Sequence, residues 1–256
     1  MPHSQALIVI PARYGSSRFP GKPLVELAGK PIVQHVLERA SSLGGRAVVA
    51  TDDERIFDRV QSFGGEAIMT GTHHRSGTDR CLEAYRLIGR GEPYLINLQG
   101  DEPFVMPAQI TTLLEALRTS GAEIATLAET FAPDTPDEEL SNPNLVKLVR
   151  GSSGQALYFS RSVIPHIRGV EQGLCRHHQY YRHVGLYGFR AEVLDTLAAL
   201  APSPLEELES LEQLRWLEAG LSLQVALTEA ATIGIDNPAD LERAERFLRT
   251  NPNFLL

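Results

Sequence analysis

Across 256 residues there are only two cysteines, Cys81 and Cys175, far apart and outside any Cys-x-x-Cys pair. That is not the cysteine usage of a small secreted domain held by disulfides. Long apolar runs are missing too, and the first short one, Ala6 to Ile10, is too brief for a signal-peptide core or a bilayer span. The expected location is the cytoplasm, with no membrane partner. Nor is there an excess of positive charge: 24 Lys and Arg stand against 32 Asp and Glu, a formal net charge of −8. Such a chain has no overall field to draw in DNA or RNA, so no nucleic-acid partner is expected. A nucleotide is not excluded, because it needs only a few local cations. Two glycine signatures are also absent. No Gly-x-Gly-x-x-Gly occurs, which disfavours a dinucleotide oxidoreductase. Five residues separate Gly15 from Gly21, and Lys22 is followed by Pro23, so the first loop is not a P-loop.

What is present is an ordinary globular composition, 43% hydrophobic and 22% charged, on a chain long enough to bury a full core. Short β-branched or apolar runs read as strands at Leu7–Ile10, Ala47–Ala50, Ala67–Met69, Tyr94–Leu98 and Ile124–Leu127. Between them, helical spacing predicts helices over Pro31–Ser41, Asp52–Phe63, Thr78–Leu87 and Pro107–Arg118. This alternation implies an α/β fold with a mostly parallel sheet covered on both faces, whose chemistry collects at the carboxyl ends of the strands. From about 131 to 187 the pattern loosens, with strands near Val146–Val149 and Ala156–Phe159. Helices resume over Ala191–Leu200 and Pro204–Gly220, followed by a strand at Leu223–Leu227 and a closing helix at Pro238–Leu248. The expectation is one domain over 1–256 with an arm at about 131–187.

The segment Pro11 to Leu24, PARYGSSRFPGKPL, is the most informative loop. It places Arg13, Arg18 and Lys22 among small residues directly after a buried strand. Glycines let the backbone approach an anion closely while Arg and Lys neutralise its charge. The loop resembles the signature of the sugar-activating nucleotidyltransferases, in the form found in the CMP-Kdo synthetase family, where Kdo is 3-deoxy-manno-octulosonate. The resemblance continues through VVATDD (Val48–Asp53), HHRSGTDR (His73–Arg80), NLQGDEP (Asn97–Pro103), NPNLVKLV (Asn142–Val149), ALYFSRSVIP (Ala156–Pro165), RHVGLYGFR (Arg182–Arg190), PSPLEELESLEQLRWLEAG (Pro202–Gly220) and GIDNPADLE (Gly234–Glu242).

The resemblance implies a three-layer, Rossmann-like α/β/α nucleotidyltransferase fold with a dimerisation arm, and hence a homodimer. It implies transfer of CMP from CTP to Kdo with release of pyrophosphate, the activation step for lipopolysaccharide assembly. On this reading Arg13, Lys22 and Asp101 are catalytic. Pro11, Ala12, Arg13, Arg18, Lys22, Thr51, Ser76, Arg80 and Gln99 belong to the nucleotide site. Gln99, Arg161, His183, Tyr187, Glu212 and Gln213 belong to the sugar site, with Arg161 suited to a carboxylate by its planar fork. Asp101 and Asp236 would carry Mg²⁺, a hard cation that takes few protein oxygens when phosphates complete its shell.

Each assignment has a plainer alternative. Asp is common in turns and caps, and Asp236 precedes Pro238 at a helix start. Ser76 with Asp79 also reads as a capping-box-like start, and Glu212 as an exposed charge on a helix face. His183 also reads as a hydrogen-bonded structural histidine. His177, His178 and His183 lack zinc spacing, and His73–His74 reads as loop. Among rival functions, an acylneuraminate cytidylyltransferase shares the chemistry on a nine-carbon acid sugar, and a variant Kdo such as the 8-amino sugar stays open. A glycosyltransferase of similar fold would carry an Asp-x-Asp at a strand end, which Asp52-Asp53 and Gly100-Asp101-Glu102 do not supply.

Overall fold

The computed structural model describes residues 5–15, 19–42, 45–229, 234–235, 237–251 and 254. Arg18 and Asp236, two of the expected site residues, lie outside the described residues. The chain divides into two compact units, one of residues 1–111 with 232–256 and one of residues 112–231. The arm expected at about 131–187 falls inside the second unit. Among the described residues no helix is long and apolar enough to cross a membrane.

In the first unit, β1 (Ala6–Ala12) is followed by a small hairpin, β2 (Glu26–Leu27) with β3 (Lys30–Pro31), and by α1 (Ile32–Ser41). Then come β4 (Arg46–Thr51), α2 (Glu54–Ser62), β5 (Ala67–Met69), α3 (Gly77–Ile88) and β6 (Tyr94–Asn97). The four long strands are parallel in the order β6-β1-β4-β5, with Val9 opposite both Val48 and Asn97. β1 lies between two partners, so both its faces are covered, and Leu7 to Ile10 are almost completely buried. That explains the unbroken apolar run, which is the mark of an inner parallel strand.

The strand order carries the functional consequence. The chain winds from β1 through β4 to β5 in one direction, then α3 returns it across β1 to β6 on the other side. Right-handed crossovers therefore put α1 and α2 on one face and α3 on the opposite face. The reversal leaves a crevice between the carboxyl ends of β1 and β6, where ligands bind in sheets of this kind.

The second unit begins within α4 (Pro107–Ser120) and contains β7 (Ile124–Thr130), α5 (Asp137–Leu140), β8 (Lys147–Arg150), β9 (Ala156–Ser160), α6 (Leu174–His177) and β10 (Tyr181–Arg190). α7 (Leu194–Ala199), α8 (Pro204–Glu209), α9 (Gln213–Glu218) and β11 (Leu223–Leu227) complete it. β7 pairs parallel with β11 and antiparallel with β10, and β8 forms an antiparallel pair with β9. The first unit closes with α10 (Pro238–Thr250), which starts on a capping box of Asn237 with Asp240.

Three sequence expectations change. The helix expected over Pro204–Gly220 is two helices, because Ser210 adopts the left-handed conformation (φ 52, ψ 49) and turns the chain. That break lets Arg215 in α9 fold back onto Glu206 in α8. The helix expected over Ala191–Leu200 opens as a 3₁₀ turn at Ala191–Val193 before becoming α-helical. The ten-residue β10 is not expected from the pattern, since Gly185 and Gly188 interrupt its alternation and a register shift divides it between Val184 and Tyr187.

Ile10 has no exposed surface and sits one residue before the loop that forms the crevice. Ile10→Ala is expected to lower unfolding stability by about 2–5 kcal/mol, the range for large-to-small core substitutions. Urea unfolding checks this as a lower midpoint with an unchanged slope.

Candidate active site

A cavity of about 290 Å³ opens in the first unit at the crevice. β1 brings Pro11, Ala12 and Arg13 to it, the following loop brings Lys22, the start of α3 brings Ser76, Gly77 and Arg80, and the segment after β6 brings Gln99, Gly100 and Asp101. Eight of the residues expected from the sequence thus meet in one place: Pro11, Ala12, Arg13, Lys22, Ser76, Arg80, Gln99 and Asp101.

The meeting depends on small residues. A methyl group at Gly100 would come 2.9 Å from the Pro11 carbonyl oxygen, and one at Gly77 would come 3.2 Å from the Pro11 ring and 3.3 Å from the Gln99 amide. Only glycine lets the end of β6 and the first turn of α3 approach the end of β1 this closely. Ser76 caps α3, its Oγ accepting the Asp79 N–H at 3.0 Å. The cap leaves the first turn of a twelve-residue helix at the cavity wall, a place where backbone N–H groups and the helix dipole favour an anion.

Lys22 Nζ donates to Asp101 Oδ2 at 2.6 Å. Both side chains are partly buried, at 12% and 27% exposure, so the pair is less screened by water than a surface ion pair. The Asp101 carbonyl accepts the Ile235 N–H at 3.0 Å, which ties Ile235 to the Asp101 segment. Gln99 is oriented from below, donating Nε2–H to Asn97 Oδ1 at 2.9 Å while Asn97 donates to Thr78 Oγ1 at 3.2 Å. An aromatic group holds the loop after Asp101, with Phe104 packed edge-on to Phe247 and tilted against Phe254.

Arg80 is 4% exposed, and its guanidinium donates to Thr70 Oγ1 at 2.7 Å and to Asp52 Oδ2 at 2.8 Å. It braces the wall formed by the segments after β4 and β5 while reaching the cavity. Thr51 departs from expectation: it does not line the cavity. Its Oγ1 accepts the Asp53 N–H at 3.2 Å and its carbonyl accepts the Thr70 N–H at 2.8 Å, so it shapes the turn out of β4. His74 and Arg75 do line the cavity, although His73–His74 reads as plain loop in the sequence. The His74 ring donates to Glu83 of α3, which also accepts the Gly71 N–H at 2.8 Å. Nothing in the local pattern announces this pair. Among the described residues, the lining therefore carries four cationic groups, Arg13, Lys22, Arg75 and Arg80, around one carboxylate, Asp101. That is a polyanion-binding balance inside an acidic protein.

The remaining expected residues among those described lie in the second unit. His183 and Tyr187 on β10 have ring centroids 5.4 Å apart, and Tyr187 packs edge-on against Trp216 of α9. Burial and the nearby Glu212 carboxylate push the Tyr187 phenol well above its ordinary value. Glu212 and the 3%-exposed Gln213 stand at the start of α9, and Gln213 Nε2 has no hydrogen-bond partner among the described residues. Four expected sugar-site residues are thus grouped on β10 and α9. Arg161 is held at another point of the unit: Nε donates to the Glu209 carbonyl at 2.7 Å, Nη1 to Pro143 at 2.9 Å and Nη2 to Ser210 at 3.3 Å. Each Nη keeps a second N–H, but much of the fork is spent on backbone carbonyls. Beside it Lys147 is fully buried, with Nζ donating to the Asn142 carbonyl at 2.9 Å. Burial and the neighbouring Arg161 charge pull the Lys147 amine below its ordinary value.

His183 Nε2 is 2.9 Å from Thr126 Oγ1, which also lies within 3.0 Å of the Leu186 carbonyl and 3.2 Å of the Val184 carbonyl. The single hydroxyl proton goes to a carbonyl, which can only accept, so His183 donates from Nε2 and keeps Nδ1 as an acceptor. Burial lowers its pKa from 6.5 to about 3.

A parallel α/β sheet with a cationic pocket at its switch point defines a nucleotide-handling enzyme of the nucleotidyltransferase type. The cytidylyltransferase family matches residues 7–225. The chain is 51% identical over 249 residues to the 3-deoxy-manno-octulosonate cytidylyltransferase of Porphyromonas gingivalis, covering 97% of this chain and 98% of that protein. It is 52% identical over 242 residues to the enzyme of that name from Phocaeicola vulgatus, covering 94% and 96%. Among solved structures, a CMP:2-keto-3-deoxy-manno-octonic acid synthetase complexed with CTP matches with a TM-score of 0.87 at 44% identity, over 96% of this chain and 99% of that one. The chain belongs to the cytidylyltransferase family.

Two outcomes are expected. Lys22→Ala should weaken CTP binding by about 1.5–3 kcal/mol, the worth of a hydrogen bond to a charged group. Calorimetric titration reads it, and an unchanged isotherm would remove Lys22 from the phosphate site. The second concerns acid. Because the folded value of His183 lies below 6.5, the stability tied to its neutral ring is complete above pH 6.5 and is lost as pH falls toward 3. His183→Gln should therefore flatten the decline of unfolding free energy below pH 6.5, and parallel curves for the two proteins would exclude His183 as its source.

Proposed function

We propose that this protein transfers CMP from CTP to 3-deoxy-manno-octulosonate, releasing pyrophosphate. The observation that carries the reading is the cavity at the ends of β1 and β6, where Arg13, Lys22 and the capped start of α3 face Asp101, in a chain of the cytidylyltransferase family. Arg13 and Lys22 neutralise the triphosphate, and the first turn of α3 supplies N–H donors. Ser76, Gln99 and the backbone of Pro11–Ala12, all in the cavity lining, are the candidates to hold the nucleoside. On the acceptor side, the Gln213 amide offers an unspent donor and Glu212 an acceptor for sugar hydroxyls. Arg161, with its remaining N–H groups, is the candidate for the sugar carboxylate. The anomeric hydroxyl attacks the α-phosphorus, the bond to the β-phosphate oxygen breaks, and pyrophosphate leaves in line. The chain's part is positioning and charge stabilisation.

Mg²⁺ suits this reading, and Asp101 is its candidate donor among the described residues. Asp101 offers a hard carboxylate oxygen at a point that already attracts positive charge, as its bond to the Lys22 ammonium shows. Asp101, with Asp236 as the second candidate, would hold the ion. Bound there, Mg²⁺ would polarise the α-phosphate and acidify the attacking hydroxyl. The same reading makes the protein a cytoplasmic homodimer acting in lipopolysaccharide biosynthesis.

The test is pyrophosphate release with CTP and Mg²⁺, offering in turn Kdo, its 8-amino analogue and N-acetylneuraminate. Release with Kdo is expected. Release only with another acid sugar would keep the CTP site and overturn the acceptor, and no release with any would overturn the enzyme reading. Asp101→Asn should abolish turnover with the fold intact, and substantial Mg²⁺-dependent activity in that variant would take Asp101 out of the metal site.

A further inference from the structure

The loop that carries Arg13 and Lys22 has a second set of contacts, outside the cavity lining. Gly21 donates its N–H to the Tyr14 carbonyl at 2.9 Å, tying those two residues together. Gly21 stands at φ 71, and a methyl group there would come 3.1 Å from carbons of the Tyr14 ring. The ring thus packs directly on the residue that precedes Lys22. Arg55, in the first turn of α2, lies over the same ring, with Cζ 3.3 Å from its centroid. Its guanidinium is itself fixed by Asp53, with Nε 2.9 Å from Oδ1 and Nη2 2.6 Å from Oδ2. Asp53 in turn caps α2, accepting the Arg55 N–H at 3.0 Å.

None of Tyr14, Asp53 or Arg55 lines the cavity. They nevertheless form a continuous chain of contacts from α2, which packs on β4, to Tyr14 and Gly21, the sequence neighbours of Arg13 and Lys22. We propose that Asp53, Arg55 and Tyr14 are positioning residues that hold Arg13 and Lys22 of the anion-binding loop at the span a triphosphate needs. The physical reason is entropic. Gly15, Gly21 and the small residues that let the backbone approach an anion also leave the loop costly to order on binding. A clasp that orders it beforehand converts that cost into affinity. A tyrosine face suits the task, because a guanidinium stacks on it without competing for the phosphate, and the fork on Asp53 neutralises a charge that would otherwise draw the triphosphate off line.

The proposal rests on the CTP reading of the cavity, so its test separates the two. CTP binding without acceptor, KM for the acid sugar, and hydrogen exchange over residues 19–25 would be measured for wild type, Arg55→Ala, Tyr14→Ala and Tyr14→Phe. Both alanine variants are expected to weaken CTP about three- to fivefold, while Tyr14→Phe, which keeps the ring face, stays within about twofold. KM for the sugar and protection of β1 should not change, and exchange over 19–25 should accelerate in both alanine variants. Wild-type affinity in either alanine variant would overturn the clasp, as would an equal loss in Tyr14→Phe. Should the wild type bind no CTP, the proposed function falls, and unchanged exchange over 19–25 in the alanine variants would overturn the clasp as well.

Discussion

Asp101 and Lys22 are 79 residues apart in sequence and 2.6 Å apart in the fold, and everything at the site follows from how that distance is closed. β1 must lie between β4 and β6, all parallel, so that the loop after β1 and the loop after β6 leave the sheet side by side. Two glycines then remove the side chains that would hold the loops apart, Gly100 under the Pro11 carbonyl and Gly77 against Pro11 and Gln99. An ion pair so placed joins the ends of two neighbouring strands. It also gathers positive charge around a carboxylate in a protein whose net charge is −8.

Polar groups buried near the cavity are satisfied in chains rather than singly. Arg80 joins α3 to Thr70 and Asp52, and Thr70 in turn bonds the Thr51 carbonyl. Gln99, Asn97 and Thr78 form a second chain. In a low-dielectric interior an unpartnered group is costly and a fully connected network rigidifies its surroundings. The cavity wall is therefore preorganised by residues that spend most of their hydrogen-bonding capacity on one another. The second unit does the same around Glu209, which accepts from the Ser160 hydroxyl and the Arg161 N–H and so ties β9 to α8. One exception is the Gln213 amide, a buried donor with no hydrogen-bond partner among the described residues.

Much of the first unit was legible because its signals are local. Apolar runs bounded by Pro, Gly and Asp gave β1, β4, β5 and β6 to within about two residues, and α1, α2 and α3 followed from helical spacing. Local signals failed where backbone conformation is decided elsewhere. Ser210 takes a left-handed conformation that no Ser demands, because Arg215 and Glu206 must meet across the break. β10 carries two glycines and a register shift, and it is a strand because β7 and β8 pair with it. Thr51 is outside the cavity lining for a similar reason: its motif ends a strand beside the cavity, but its hydroxyl accepts the Asp53 N–H.

The sequence by itself determined the inner parallel strand, the cationic loop after it, the glycines that permit close approach and, through eight ordered blocks of resemblance, the family. These are properties of residue type and short-range order, which a chain carries whether or not it is folded. Only the tertiary structure decided that Lys22 meets Asp101, that His74 and Arg75 join the cavity, that Thr51 does not, and that Arg55 reaches Tyr14. Those facts depend on strand order, helix handedness and the direction in which each side chain leaves the backbone. They arise when distant segments compete for the same space, and no local pattern records the outcome of that competition.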